Sequence, residues 1–251
     1  MTDLTYISKG NKKTECFSFD LPARSSCPGK TKECAKDCYA ASMMLVYPNV
    51  AAKYKRNRRF ANSPKFVKYM IEHIPRDCQF RIHVSGDFFS MDYIRRWQKI
   101  IASRKDVTFY AYTRSWNRTS SRSAYSLAQI RAQIVKLHKL PNININLSVD
   151  DETDMPVFKG AQDLRWCYLT KTDNVPSWIR EGDIVFRSNH NGQKLRRKND
   201  TKKGIDPDIR SPLIKRLGGQ VCPLEQGRDI PNFSCAKCRL CVDKPMVAQN
   251  A

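Results

Sequence analysis

Short strand-like runs and amphipathic helical patterns take turns along most of this 251-residue chain, and that alternation limits its fold more than any other feature. Residues 79–85 (QFRIHVS), 107–113, 143–149 (ININLSV), 164–169 and 183–188 read as strands, and 14–19 as a weaker first one. Between them, residues 63–74 place Phe66, Val67, Met70, Ile71 and Ile74 on one helical face, with Ser63 before Pro64 as an expected N-cap. Ser90 is expected to cap a helix with Tyr93, Ile94, Trp97, Ile100 and Ile101 inward, and residues 123–140 carry Leu127, Ile130, Ile134 and Leu137 in register. A further helical stretch covers 39–47. Strands joined by helical crossovers of this length pair in parallel, so the expectation is an α/β fold with a mostly parallel sheet. Six candidate strands are fewer than the roughly eight that close a full barrel, which leaves a partial barrel or an open doubly wound sheet.

In such folds ligands bind just past the carboxyl ends of the strands. The exits here are polar: Ser85-Gly86-Asp87 after the second strand, with His83 inside it, then Arg114-Ser115, then Asp150-Asp151. Asp87, Arg114 and Asp150 are therefore the candidate catalytic groups. Each aspartate taken singly could instead cap the helix that follows it.

Ten cysteines stand in a chain whose first residues show no apolar leader with a cleavage site, so a cytoplasmic, reducing location is expected and the thiols read as ligands. Cys235-x2-Cys238-x2-Cys241, with the more distant Cys222-Pro223, has the close spacing of bacterial ferredoxins, which suits a 4Fe–4S cluster. Tetrahedral zinc, usually held by two separated C-x2-C pairs, is the alternative. Cys27-x6-Cys34-x3-Cys38 forms a second group, followed at once by Tyr39. Three thiolates leave one iron open to a small ligand, whereas a fourth from Cys16 would close the site. Cys16 could equally lie buried in the first strand, and Cys78 and Cys167 are expected in the core.

Lysine and arginine number 45 against 24 acidic residues, a net charge of +21. This excess points to a polyanionic partner, with a nucleic acid the leading candidate. The expected contact residues are Lys53, Lys55, Arg56, Arg58 and Arg59, then Lys194, Arg196, Arg197, Lys198, Lys202 and Lys203. No apolar run reaches the roughly 18 residues of a membrane span. The polar segment 189–212 is the best linker, dividing a main body, 1–190, from a basic linker and cysteine-rich region, 191–251.

Taken in order, CPGKTKECAKDCYA, RIHVSGDFFSMDYIRRW, FYAYTRSW, NLSVD and CPLE with CAKCRLC resemble the phage and plasmid family known as the gene product 88 domain, from about Phe17 to Cys241. More distantly, the layout is similar to radical S-adenosylmethionine enzymes, with a loop spacing of C-x6-C-x3-C in place of C-x3-C-x2-C. That likeness implies a partial (β/α)6 barrel and a cluster held by Cys27, Cys34 and Cys38. It also implies S-adenosylmethionine as cofactor, with Ser85, Gly86, Asp87 and Tyr39 at its binding site and the methionine amino group received by Gly86 and Asp87. Two functions follow as expectations: an enzyme modifying a nucleic acid or bound protein, or a non-catalytic nucleic-acid-binding or host-protein-binding module with structural clusters.

Overall fold

The computed structural model describes residues 5–10, 14–117, 125–170, 175–180, 182–187 and 234–244. Six strands, β1 (Phe17–Phe19), β2 (Gln79–Ile82), β3 (Thr108–Thr113), β4 (Ile143–Asp150), β5 (Arg165–Thr170) and β6 (Ile184–Arg187), form one sheet in sequential order. Every neighbouring pair is parallel. The order never reverses, which separates this mixed α/β fold from a doubly wound sheet. No strand pair closes β6 onto β1 among the described residues.

The crossovers carry α1 (Lys32–Lys36), α2 (Tyr39–Val46), α3 (Pro48–Phe60) and α4 (Phe66–His73) before β2. Helix α5 (Met91–Ser103) then precedes β3, and α6 (Leu127–His138) precedes β4. A single core joins the inward residues of α4, α5 and α6 to one face of the sheet, whose rows are Phe80, Phe109 and Ile143, then Phe19, Ile82, Ala111 and Ile145. Trp97 of α5 sits at its centre, meeting the rings of Phe19, Phe66, Phe80 and Phe109.

The opposite face alternates out of register with the core and is polar: Ser18, Arg81, Tyr110 and Asn144 in one row, Tyr112, Asn146 and Arg165 in the next. It is also strongly concave. The rings of Tyr112 on β3 and Phe186 on β6 lie 6.0 Å apart, although three strand spacings would separate them by about 14 Å on a flat sheet.

Several boundaries differ from expectation for local reasons. The first strand is shorter than 14–19, beginning only at Phe17. The second stops at Ile82 because His83 has φ +67 and leaves the ladder. Helix α4 begins at Phe66 rather than at Ser63, since the Ser63 hydroxyl accepts from Lys65 N at 3.2 Å and closes a separate turn around Pro64. The basic run Lys53–Arg59 lies within α3, an element the sequence reading did not anticipate, started by Pro48 in the first turn. Ser90 caps α5 as expected, and Ser126 with Gln129 forms a capping box at α6. Segment 189–212 lies outside the described residues, as do all but residues 234–244 of the region 191–251.

Two buried histidines give the fold an acid limit. His83 Nε2 lies 2.9 Å from the Tyr93 hydroxyl, and burial, reinforced by Arg81, brings its pKa down to about 3. His138 Nδ1 accepts from Ile145 N at 3.1 Å, and burial with Lys244 brings it to about 4. Unfolding raises both towards about 6.5, so below that pH the unfolded chain binds protons that the native one does not. Stability should fall as pH drops from about 6.5, each histidine contributing a slope of up to about 1.4 kcal/mol per pH unit until its folded pKa is reached. Urea midpoints measured between pH 7 and 4 test this; a flat profile would contradict it.

Candidate functional site at the carboxyl ends of the strands

The chain leaving β1 is fastened to the chain leaving β2. Leu21 N donates to Ser85 O at 2.8 Å, the Ser85 hydroxyl donates to Leu21 O at 2.7 Å, and Val84 N donates to Asp20 Oδ1 at 2.7 Å. Gly86 lies at φ +87, and a Cβ there would stand 2.5 Å from that of Leu21, so the tight approach requires glycine. The cysteine loop that follows crosses the end of β3, where a Cβ on Gly29 would fall 1.8 Å from the Arg114 carbonyl oxygen.

Next, Thr31 caps α1. Its hydroxyl accepts from Cys34 N at 3.0 Å and donates to Asp150 Oδ2 at 2.6 Å, joining the helix that carries Cys34 to the end of β4. Glu152 accepts from Lys32 N at 2.7 Å and from Glu33 N at 3.3 Å, adding a carboxylate to the same helix start. The first cysteine group is thus held by the ends of β2, β3 and β4 together.

Arg114, buried, reaches Asp150 Oδ2 at 2.8 Å and Val149 O at 3.5 Å. The Arg114 Nη1 facing Asp150 lacks hydrogen-bond alignment and has no other acceptor, so a buried donor remains at the heart of the site. Asp87 is fully occupied: it accepts from Phe88 N at 2.7 Å, the Thr113 hydroxyl at 2.7 Å and Arg114 N at 2.8 Å. Here it ties the exits of β2 and β3, a different job from capping α5, which Ser90 does. Burial still raises its pKa.

The thiols feel one another and these groups. Burial, followed by the charge of Asp87, pushes Cys27 up to about 12, with Cys34 and Cys38 adding to the rise. Burial also raises Cys34, opposed by the nearby Arg114 guanidinium. In this arrangement no three His, Cys, Asp or Glu side chains among the described residues stand close enough to share one metal ion. The donor chemistry does suit a thiophilic centre: three thiols stand on one loop, burial disfavours the thiolates of Cys27 and Cys34, and a bound cation would supply the charge that stabilises them.

Tyr39 extends this site at its rim, its hydroxyl donating to Val84 O at 2.9 Å while its side chain stays exposed, as do those of Met43, Leu45 and Val46 on α2 and of Tyr47 at its C-cap. The basic residues of α3 divide. Lys53 Nζ donates to Ile7 O at 2.9 Å, Arg56 donates to Thr5 O at 3.1 Å, and the Arg58 guanidinium stacks on Phe89 at 3.4 Å. Those contacts fasten the N-terminal segment and the β2–α5 loop; Lys55 and Arg59 face solvent. Lys194, Arg196, Arg197, Lys198, Lys202, Lys203 and Cys222 lie outside the described residues.

The C-terminal cysteines lie at the other end of the sheet. A short helix, α7 (Cys235–Cys238), and the turn after it rest on the concave polar face. Asn144 donates to the carbonyls of Cys241 and Asp243 at 2.9 and 3.0 Å, and Asn146 to that of Cys241 at 3.0 Å. Arg165 donates to the carbonyls of Leu240 and Asp243. These three clamping residues were missed by the sequence reading, yet a signal was present: in ININLSVD every second residue is polar, whereas a parallel strand covered on both faces reads as a continuous apolar run. Of the expected core cysteines, Cys167 is buried on this same face and Cys78 is half-buried, its thiol donating to Pro75 O at 3.2 Å.

Comparison with known families decides what the chain is related to: the model described as gene product 88 matches residues 2–244, nearly its whole length. The chain belongs to the gene product 88 family. Among curated gene product 88 relatives, the Gene 88 proteins of Mycobacterium phage D29 and Mycobacterium phage L5 are each 28% identical over 190 residues, covering 68% of this chain and 74% of theirs. No solved structure matches this gene product 88 chain. No helix among its described residues is long and apolar enough to cross a membrane.

Proposed function

We propose that this phage-type protein holds a 4Fe–4S cluster on Cys27, Cys34 and Cys38, binds S-adenosylmethionine beside it, and acts on a nucleic acid. The observation carrying this reading is that the three loop thiols lie within electrostatic reach of one another and of Asp87, Arg114 and Asp150 where β2, β3 and β4 end. The six parallel strands in sequential order and their concave polar face suit a radical S-adenosylmethionine-like partial barrel. When bound, such a cluster supplies an open iron and one electron for reductive cleavage of a sulfonium.

The chain's own groups have distinct tasks. Arg114, with its spare buried donor, orients an anionic group of the ligand, and Asp150 keeps that guanidinium in place. Gly86 lets backbone approach where a side chain could not fit. The exposed ring of Tyr39 and the apolar side chains of α2 offer a surface for a base or an adenine to stack on.

The test is anaerobic incubation of iron-loaded protein with reductant, S-adenosylmethionine and phage DNA or RNA. The expected products are 5′-deoxyadenosine and methionine above the level of a Cys27→Ala control. Loaded protein that forms neither above that control overturns the enzymatic reading. The net charge of +21 supports the nucleic-acid part independently, through whatever cations face solvent, Lys55 and Arg59 among them. If the clusters are only structural, binding that weakens steeply with salt should persist without turnover.

A further inference from the structure

We propose that Cys16 is the fourth thiolate of the C-terminal centre, completing with Cys235, Cys238 and Cys241 a four-cysteine site at the amino end of the sheet. This rests on the reading that the clustered cysteines hold inorganic centres, and it deepens that reading by naming a ligand from the opposite end of the chain.

Position along the strands decides which group Cys16 can join. It stands one residue before β1, at the strand's amino end, whereas Cys27, Cys34 and Cys38 follow the strand's carboxyl end. The C-terminal segment is clamped by Asn144, early in β4, while the first cysteine group is tied to Asp150 at that strand's other end. Six residues of strand separate the two clamps, roughly 20 Å at about 3.3 Å per residue. Cys16 lies on the Asn144 side of that span and so is out of reach of the first cysteine group.

The contacts of Cys16 lead to the C-terminal motif. It is buried, its Sγ lies 3.2 Å from the Tyr110 hydroxyl, and it packs in one small cluster with Tyr110, Val242, Tyr112 and Cys241. The adjacent hydroxyl, that of Tyr112, hydrogen-bonds the Cys241 thiol, and the two tyrosine rings are 6.4 Å apart. Cys235 also acts electrostatically on the Tyr110 hydroxyl that Cys16 touches, which brings both thiols to the same neighbourhood. On α7, Cys235 and Cys238 are three apart and share a face, about 5–6 Å between their Cβ atoms. Arg239, at φ +56, then turns the chain back so that Cys241 reaches the sheet.

The surroundings suit sulfur ligands carrying negative charge. Tyrosine hydroxyls are the donors a metal-bound thiolate accepts from, and such outer partners orient and tune the site. Arg81, whose guanidinium lies 4.9 Å above the Tyr112 ring, interacts with both Cys16 and Cys241, and Arg165 adds a second cation near Cys241. The two guanidiniums, that of Arg165 buried and that of Arg81 partly so, stand beside Cys16 and Cys241 and would offset part of the anionic charge of a four-thiolate cluster.

The test counts iron and sulfide in the full chain, purified without oxygen, for wild type and for Cys16→Ser, Cys238→Ser, the double variant, Cys167→Ser and Cys222→Ser. Loss of half the iron is expected from Cys16→Ser and equally from Cys238→Ser, with no further loss in the double variant and none from Cys167→Ser or Cys222→Ser. Full iron in Cys16→Ser alongside loss in Cys238→Ser overturns the role of Cys16 and leaves the C-terminal centre standing. Loss from Cys222→Ser or Cys167→Ser with Cys16→Ser intact assigns the fourth ligand elsewhere. Iron that is indifferent to Cys238→Ser removes the C-terminal centre itself. Should Cys16→Ser fail to fold, alkylation of the wild type replaces it: Cys16 should become reactive in the same step as Cys238 when a chelator strips the metal. Cys16 reactivity unchanged by the chelator overturns the proposal.

Discussion

Gly29→Ala is expected to dislodge the first cysteine loop and to destabilise the protein by more than about 4 kcal/mol, in the range reserved for a few severe mechanisms. The added Cβ would lie 1.8 Å from the Arg114 carbonyl oxygen and 2.5 Å from its carbonyl carbon. Both are backbone atoms at the end of β3, and Arg114 N is itself held by Asp87, so neither side can yield cheaply. Either the loop lifts away, carrying Cys27 and α1 with it, or the end of β3 distorts. For a chain of this size such a loss corresponds to a fall in Tm of about 8–16 °C. Thermal unfolding of the variant, with iron content measured alongside, checks both consequences, and wild-type stability with full iron would contradict the placement of the loop.

Asp150→Ala should cost about 3–5 kcal/mol, because removing one partner of a buried ion pair leaves the other charge uncompensated. Arg114 would keep only the 3.5 Å contact to Val149 O, and Thr31 would lose the acceptor that ties α1 to β4. Arg114→Met in the Asp150→Ala background should recover part of the loss, since an apolar side chain of similar volume carries no stranded charge. Urea denaturation of the two single variants and the double one measures the coupling. Additive losses would mean that the pair is not coupled as the 2.8 Å contact implies.

Much of the fold could be read from the residues because its signals are local. The helix periodicity around Trp97 and Ile134 and the runs at 107–113 and 143–149 each dictate an element without reference to the rest of the chain. Parallel pairing followed from the length of the crossovers. Helix α3 lacks a clean apolar stripe, so its basic residues read first as a patch for a polyanion; in the fold Lys53, Arg56 and Arg58 also hold Ile7, Thr5 and Phe89. Charge shows that a side chain is basic, not which carbonyl or ring it will meet.

The site was legible to a similar depth. Polar residues at three strand exits marked Asp87, Arg114 and Asp150, and the parallel sheet brought them to one end with the first cysteine group. Their pairing was not legible: that Asp87 serves as a tie and Asp150 as the anchor of Arg114 depends on contacts across 27 and 36 residues of chain. The concave polar face was visible in the alternating asparagines of β4 but acquires meaning only once the C-terminal cysteines lie on it. Cys16 is the sharpest case, because its sequence neighbours point to the first group and its contacts to the second.

The most direct test is iron and acid-labile sulfide per chain, with the visible absorption spectrum, for full-length protein prepared without oxygen. Two loaded 4Fe–4S sites predict a brown protein with about eight irons and about eight sulfides per chain. Colourless protein lacking iron and sulfide would contradict the account, and zinc in their place would leave the thiol sites but end the redox reading.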